Sequence, residues 1–505
     1  MARRIIALLI MISLFACFLK ASAADTLPYP TYTIDGDYNE AQSPAAYIPQ
    51  RIFYGEQSEA GQFENPADLE IKDEKIYIID SERNAFFVFD LDFKLLASVE
   101  GFEFNGKEER FNSPQGINVS SSGDIYVADT DNSRIVKFSS NYEASAIFEK
   151  PSIITMPDDY VYKPLKLGVD PSDRIYVVAQ GINEGLIELD SSGGFMSFMG
   201  APNVKFDLFT YIWKQLLTRQ QADYLLKFVP TEFSNLKIDA DGFVYANIKS
   251  NDIEELYGAI KTFDQYKVVA VKKMNASGRD VLNRYGEIPI VGDVNFNIDA
   301  DSDASGAAQS SDVAINPSTF VDITVDGAGT YYCLDSKRGR IFTYDIDGNL
   351  LYAFGSLGNQ DGNFTIPVAI DTCGNRLYVL DNALKRVTVF SRTEYGDSIY
   401  KAAKCYSDGD YEQSFSEWSS VIRQNANLRL AYIGIGKSCY YLGDYEKSYK
   451  YLKLADESYY ASKAYEKYMT NYIADRFYII FGALVAVVIV IAAAVILRKK
   501  KRKVP

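Results

Sequence analysis

The side chains of this chain that can do chemistry are carboxylates, amines and hydroxyls, because its 505 residues contain no histidine. That rules out Ser-His-Asp and Cys-His nucleophilic machinery, imidazole metal sites and a histidine general base. Three groups of residues remain. The first is Asp68, Lys166, Asn235 and Asp322, which, with Gly116 and Ala369, stand just before an apolar pair in six related segments. Converging on one axis, two Asp, one Asn and one Lys would suit a cation or a small polar ligand. Lys166 would repel a cation, so a plainly solvated channel is the simpler expectation. The second group, Asp299, Asp301 and Asp303, has the alternate-carboxylate spacing of a calcium loop. Ala304 and Ser310 stand where such a loop needs Gly and a bidentate Glu, so a solvated, disordered loop over about 294–311 is expected instead. Calcium is the one cofactor suggested. The third group is Asp80, Asp129, Asp335 and Asp381 with Arg134, Arg340 and Arg386. A carboxylate that opens a tight loop accepts backbone N–H bonds there, so these residues are expected to hold structure, and none is read as catalytic.

The elements that position these residues repeat. Ile125–Phe138 reads IYVADTDNSRIVKF, and the unit returns as IYIIDSERNAFFVF from Ile76, YYCLDSKRGRIFTY from Tyr331 and LYVLDNALKRVTVF from Leu377, with weaker copies from Ile175 and Val244. The aligned tyrosines are Tyr77, Tyr126, Tyr176, Tyr245, Tyr332 and Tyr378. Each copy combines period-two apolar strands with Gly-bearing turns, giving four short strands per unit, the pattern of a propeller blade. Six copies predict a six-bladed all-β propeller over 50–391, with Arg51–Tyr54 supplying the missing outer strand of the last blade and hiding a free sheet edge. Two long steps between copies need insertions. One, over 205–229, carries Phe206, Phe209, Ile212 and Trp213 at helical spacing; the other covers 251–317 and contains the Asp-rich loop.

FENPADLEIKDEKIYIIDSERNAFFVFD, FNSPQGINVSSSGDIYVADTDNSRIVKF and FGSLGNQDGNFTIPVAIDTCGNRLYVLDNALKRVTVF resemble NHL repeats. The likeness covers about 50–391, with Ala179 replacing the Asp in the third copy. The resemblance implies an interaction scaffold or, as in some relatives, a lyase or a calcium-dependent lactonase using an axial metal.

After Phe390 the period changes from two to 3.6. Gly409-Asp410-Tyr411-Glu412 returns 34 residues later as Gly443-Asp444-Tyr445-Glu446, and Ala402, Cys405, Ser414 and Trp418 align with Gly436, Cys439, Ser448 and Leu452. This resembles tetratricopeptide repeats, predicted over 392–472 with a capping helix at 459–472. Cys405 and Cys439 are expected to be free, buried thiols, because stacked helices lie ~8–10 Å apart and a disulfide needs Cα atoms within ~7 Å. Pairing of Cys333 with Cys373 is left open.

The two ends set the expected location. Residues 1–23 read as a secretory signal peptide cleaved near Ala23, with lipidation at Cys17 as the alternative; 24–49 read as an extended lead-in. Phe477–Leu497 is an uncharged run long enough to span a bilayer, and the basic tail 498–505 keeps its C-terminus cytoplasmic, leaving the rest outside a cell membrane. Without the basic residues of leader and tail, 43 basic residues face 67 acidic ones, a net charge of about −24. Such a surface repels nucleic acid and anionic lipid and suits neutral ligands, cations or basic partner surfaces; the expected partners are a protein, through the helices and a propeller face, and a glycan. The layout is similar to that of Gram-positive proteins thought to accompany carbohydrate uptake systems. The functional expectation is a non-catalytic, membrane-anchored scaffold; the alternative is a calcium-dependent lactonase- or lyase-like enzyme working in the channel.

Overall fold

A computed structural model describes residues 27–35, 39–154, 156–200, 232–248, 269–286, 288–293 and 318–501. The expected signal peptide with Cys17, the helical insertion over 205–229, and Asp299, Asp301 and Asp303 lie outside the described residues.

Six antiparallel sheets form a six-bladed propeller. Their inner strands are Pro66–Lys72, Gly116–Val119, Pro164–Val169, Phe233–Ile238, Phe320–Val325 and Pro367–Cys373, and each lies against the next, the sixth returning to the first. Blade four has three described strands, Phe233–Ile238, Val244–Ile248 and Val271–Met274; the others have four or more. The last blade is completed by Tyr47–Tyr54, which pairs antiparallel with Arg386–Arg392, Val387 facing Phe53 and Arg392 facing Tyr47. This strand begins at Tyr47 rather than at residue 50 because Tyr47 is itself core: its ring stacks on Phe354 at 5.6 Å and meets Tyr332 edge-on. Part of the expected lead-in is therefore propeller. Thr31 and Tyr32 likewise pair with Phe354 and Ala353 of blade five.

The repeated tyrosine explains how blades bind one another. In the second strand of blade one, Ile76 and Ile78 pack towards the last blade, whereas Tyr77 and Ile79 pack against Ile117, Val119 and Val127 of blade two. Tyr126 reaches blade three, Tyr176 blade four and Tyr245 blade five in the same way. Period-two alternation thus gives each blade one face for each neighbour. Each fully buried tyrosine contributes roughly 2–3 kcal/mol of burial.

The helical unit contains six helices among the described residues: α1 (Glu394–Ser407), α2 (Tyr411–Gln424), α3 (Arg429–Tyr441), α4 (Tyr445–Leu454), α5 (Ser458–Asp475) and α6 (Phe477–Lys501). The first five pack in sequence, and the 34-residue period is visible in their bonds. Asp410 and Asp444 cap α2 and α4 by accepting from the backbone N–H groups of Gln413 and Lys447, after Gly409 and Gly443 at φ +80° and +82°. Ser414 donates to the Ala402 carbonyl at 3.0 Å as Ser448 does to that of Gly436 at 2.8 Å. Close helix contact requires Gly434: a Cβ there would stand 2.3 Å from the Trp418 indole nitrogen. All four described cysteines are free. Cys439 is buried, but Cys405 is only partly so, contrary to expectation. Helix α6 contains Phe477–Ile496, with mean hydropathy 3.3, long and apolar enough to cross a membrane.

Candidate functional site

The structure brings Lys166 to Asp68 and Asn235 to Asp322, and Asp68, Asn235 and Asp322 are buried rather than solvated as expected. A β-bulge just before Asp68, Lys166, Asn235, Asp322 and Ala369 sets their register in five blades. Lys166 Nζ stands 2.6 Å from Asp68 Oδ1 and donates to the Ala67 carbonyl. Asn235 donates its amide N–H to Asp322 Oδ1 at 2.5 Å. Asp68 also accepts the Ile117 N–H of the next blade at 3.0 Å, and Asp322 accepts the Ile370 N–H of the next at 2.6 Å. The ring therefore ties blades together at the edges that their inner strands leave unpaired.

A second ring lies two residues further along each inner strand, on the same face: Glu70, Asn118, Gly168, Lys237, Thr324 and Asp371. Reading only the first position missed it, although the alternation was the available signal. Lys237 Nζ bridges Glu70 at 2.8 Å and Asp371 at 2.9 Å. Asp371 accepts the Ile71 N–H of blade one and the Thr324 hydroxyl of blade five, both at 2.7 Å. Asn118 accepts the Val169 N–H of blade three. Gly168 provides room, since a Cβ there would meet Leu236 at 2.5 Å.

The two rings hold four carboxylates and two lysines, and the imbalance appears in their protonation. Burial, with the Asp371 charge adding, pushes Glu70 up to about 7 despite the opposing Lys237. Burial and the Asp68 charge hold Asp322 well above the usual carboxylate range, against Lys166 and two backbone N–H donors. A carboxyl raised in the folded state stabilises fully below its unfolded value near 4.5 and loses that contribution as pH rises through about 7. Stability is therefore expected to fall across this window by up to about 3 kcal/mol through Glu70. Glu70→Gln should remove that part of the slope. Urea denaturation at pH 4.5 and pH 8 measures it, and an unchanged slope in the variant would refute the assignment.

The blade-motif carboxylates are engaged with loop backbone. Asp80 accepts from the N–H groups of Glu64, Asn65 and Arg83; Asp381 does so from Thr365, Ile366 and Leu384. Asp335 takes the Thr319 and Lys337 N–H groups and the Ser318 hydroxyl. Asp129 holds the Asn112 N–H and the Arg134 guanidinium at 2.8 Å. The arginines diverge: Arg134 also pairs with Glu109, Arg340 with Asp293 and Tyr32, and Arg386 donates to the carbonyls of Asn359, Gln360 and Asn363. Among the described residues, no three Cys, Asp or Glu side chains gather closely enough to hold a metal ion.

The family model for the NHL repeat matches residues 111–138, the second copy of the repeat. Solved propellers align along most of the chain at low identity. They include a virginiamycin B lyase from Staphylococcus aureus, with 10% identity, TM-score 0.39, and coverage of 69% of this chain and 100% of that one. A PQQ-bound aldose sugar dehydrogenase from Streptomyces coelicolor aligns with 11% identity, TM-score 0.36, and coverage of 69% and 99%. A Bacteroides thetaiotaomicron protein of unknown function gives 10% identity, TM-score 0.39, and coverage of 72% and 76%. No curated protein sequence matches the chain.

Proposed function

We propose that the chain is a non-catalytic binding scaffold, anchored in the cell membrane by α6, with the propeller and a tetratricopeptide-like helical unit outside and the basic C-terminus inside. One observation carries this reading: the acidic, amide and amine side chains of the two rings are engaged with each other and with the N–H groups of neighbouring blades. The helices offer a partner surface of a different kind. Tyr411 and Tyr441 stack at 4.6 Å beside Tyr406, and Tyr441 is 48% exposed. Aromatic rings of this sort provide large contact area with few rotors to freeze. The acidic exterior favours a protein partner with a basic face, and a role beside a carbohydrate uptake system agrees with this layout. The test is a photo-crosslinking residue at position 441 of the full-length protein in its native membranes, with position 107, in the two-stranded hairpin of Gly101–Phe104 and Lys107–Arg110, as comparison. A neighbour captured at 441 in repeated preparations, and absent from the control, is expected; no specific neighbour at either would overturn the reading.

The raised Glu70 favours a second reading, a calcium-dependent lactonase- or lyase-like site in the channel, because perturbed carboxyls gather where chemistry is done. A rise in melting temperature with calcium, reversed by chelator and lost in Asp322→Ala, would support it over the scaffold.

A further inference from the structure

Helices α1 to α5 stack in order, so α2, α3 and α4 each have a neighbour on two sides. On α3 the two sides are distinct: a Cβ at Gly434 would strike the Trp418 ring of α2, and one at Gly436 would strike Leu452 of α4 at 2.4 Å. On α5, among the described residues, one side is filled. Ala461 and Ala464 are buried in a cluster with Leu452 of α4, Ala455 and Ile433 of α3. The opposite side carries Glu466, Met469, Thr470 and Ile473, the i, i+3, i+4, i+7 spacing of one helix face, with Tyr465 at its edge. These residues wall a groove of about 630 Å³, bounded across from them by Tyr449 and Lys453 of α4. The end of a helical stack stays soluble by turning a polar face outwards. This end instead shows Tyr465 and Ile473, 45% and 47% exposed, beside Met469. It is built like an interior face of the stack.

We propose that this groove receives one further helix, amphipathic and basic, from another protein. The internal repeat sets the shape of the occupant. Helix α2 fills the corresponding seat on α1 and α4 that on α3, each tied by a serine hydroxyl donated to a carbonyl of the helix it covers. Those occupants are helices of 14 and 10 residues. The open face of α5 from Ser462 to Ile473 extends ~17 Å at 1.5 Å per residue, enough for a helix of that size. Charge sets its class. Asp456, Glu457 and Glu466 line the groove against one Lys453, so a helix with lysine or arginine flanking its apolar stripe is attracted and an acidic one repelled. The same charges disfavour a second copy of this chain, because a two-fold contact would lay one acidic patch on its twin. Ile473 stands four residues before Phe477, where the apolar run of α6 begins, so a partner held in the same membrane is within reach. The inference rests on the binding role argued above and adds to it a second contact, away from Tyr441, with the chemistry of what fills it. Failure of crosslinking at 441 would leave it standing, and failure of helix binding here would leave a neighbour at 441 standing.

The probe is a fluorescent peptide that copies α4, Tyr445–Leu454, held helical by a hydrocarbon staple; its three lysines and one glutamate make it basic. Its control carries Lys447→Glu, Lys450→Glu and Lys453→Glu. Fluorescence anisotropy with the full-length protein in detergent micelles should show saturable binding of the basic peptide and at least tenfold weaker binding of the control. In the protein, Met469→Asp should weaken the basic peptide at least tenfold by placing a charge in the apolar seat. Glu466→Lys should weaken it about threefold, the effect of one exposed ion pair. Both side chains lie outside the buried cluster of Ala461 and Ala464, so the melting temperature should hold in each variant, which separates a binding defect from unfolding. No saturable binding, equal binding of the two peptides, or binding unaltered in both variants would overturn the proposal. Light scattering on the protein alone provides a further arm: a dimer that Met469→Asp splits would give the groove to a second copy and overturn it as well.

Discussion

Asp371→Ala should destabilise the propeller by about 3–5 kcal/mol, the usual effect of removing one partner from a buried ion pair. Asp371 is 2% exposed and holds three parts of the ring: Lys237 from blade four, the Thr324 hydroxyl from blade five and the Ile71 N–H from blade one. Alanine leaves Lys237 with Glu70 as its remaining acid and strands the Ile71 N–H at a sheet edge. Asp371→Asn keeps the shape and one acceptor, so it should lose less. Urea denaturation compares the two, and equal losses would show that charge, not the bonds to three blades, is what matters.

The second large effect is expected at the ring closure. Phe53 is 1% exposed, stacks on Phe93 at 4.2 Å and meets Phe63 and Phe89 edge-on. Phe53→Ala should remove about 3–5 kcal/mol, the transfer and cavity contributions together. The loss should show a spatial signature. Amides of Tyr47–Tyr54 and Arg386–Arg392 should exchange with solvent by local opening at a lower free energy than those of blade two. Hydrogen exchange measured by mass spectrometry checks this, and uniform acceleration across all blades would contradict it.

Much of the architecture was legible because it is repetitive. One Tyr per blade at a fixed place after a turn, and one Asp five residues before an Arg-Ile or Arg-Val pair, return only if the local geometry returns. The closing strand was also legible, since an incomplete last blade demands an edge from elsewhere; its start at Tyr47 was not, because burial against Tyr332 is a contact between segments far apart in sequence. The channel was half legible. Asp68, Lys166, Asn235 and Asp322 were found by superposing copies, but nothing in a linear sequence reveals that Lys166 turns to Asp68 and Asn235 to Asp322. Glu70, Lys237 and Asp371 were passed over because only one position along that face of each inner strand was read. A pocket between blades four and five was not legible: Lys273 and Asn283 belong to no shared motif, Tyr331 opens a repeat copy without signalling a pocket, and only the docking of two blades brings them together.

The pairing of Tyr47–Tyr54 with Arg386–Arg392 sets a timetable for biosynthesis. The closing strand leaves the ribosome before any inner strand and meets its partner only once blade six is made, so until then it is an unpaired edge with Phe53 uncovered. Contacts this distant in sequence form slowly, and exposed edges invite pairing between nascent chains. Once closed, the same strand ties residues made before blade one to residues of blade six, so a chain truncated inside blade six should leave a ring that cannot shut. For this protein, release of an incomplete chain is a quality-control problem from which no shorter version of the fold offers an escape.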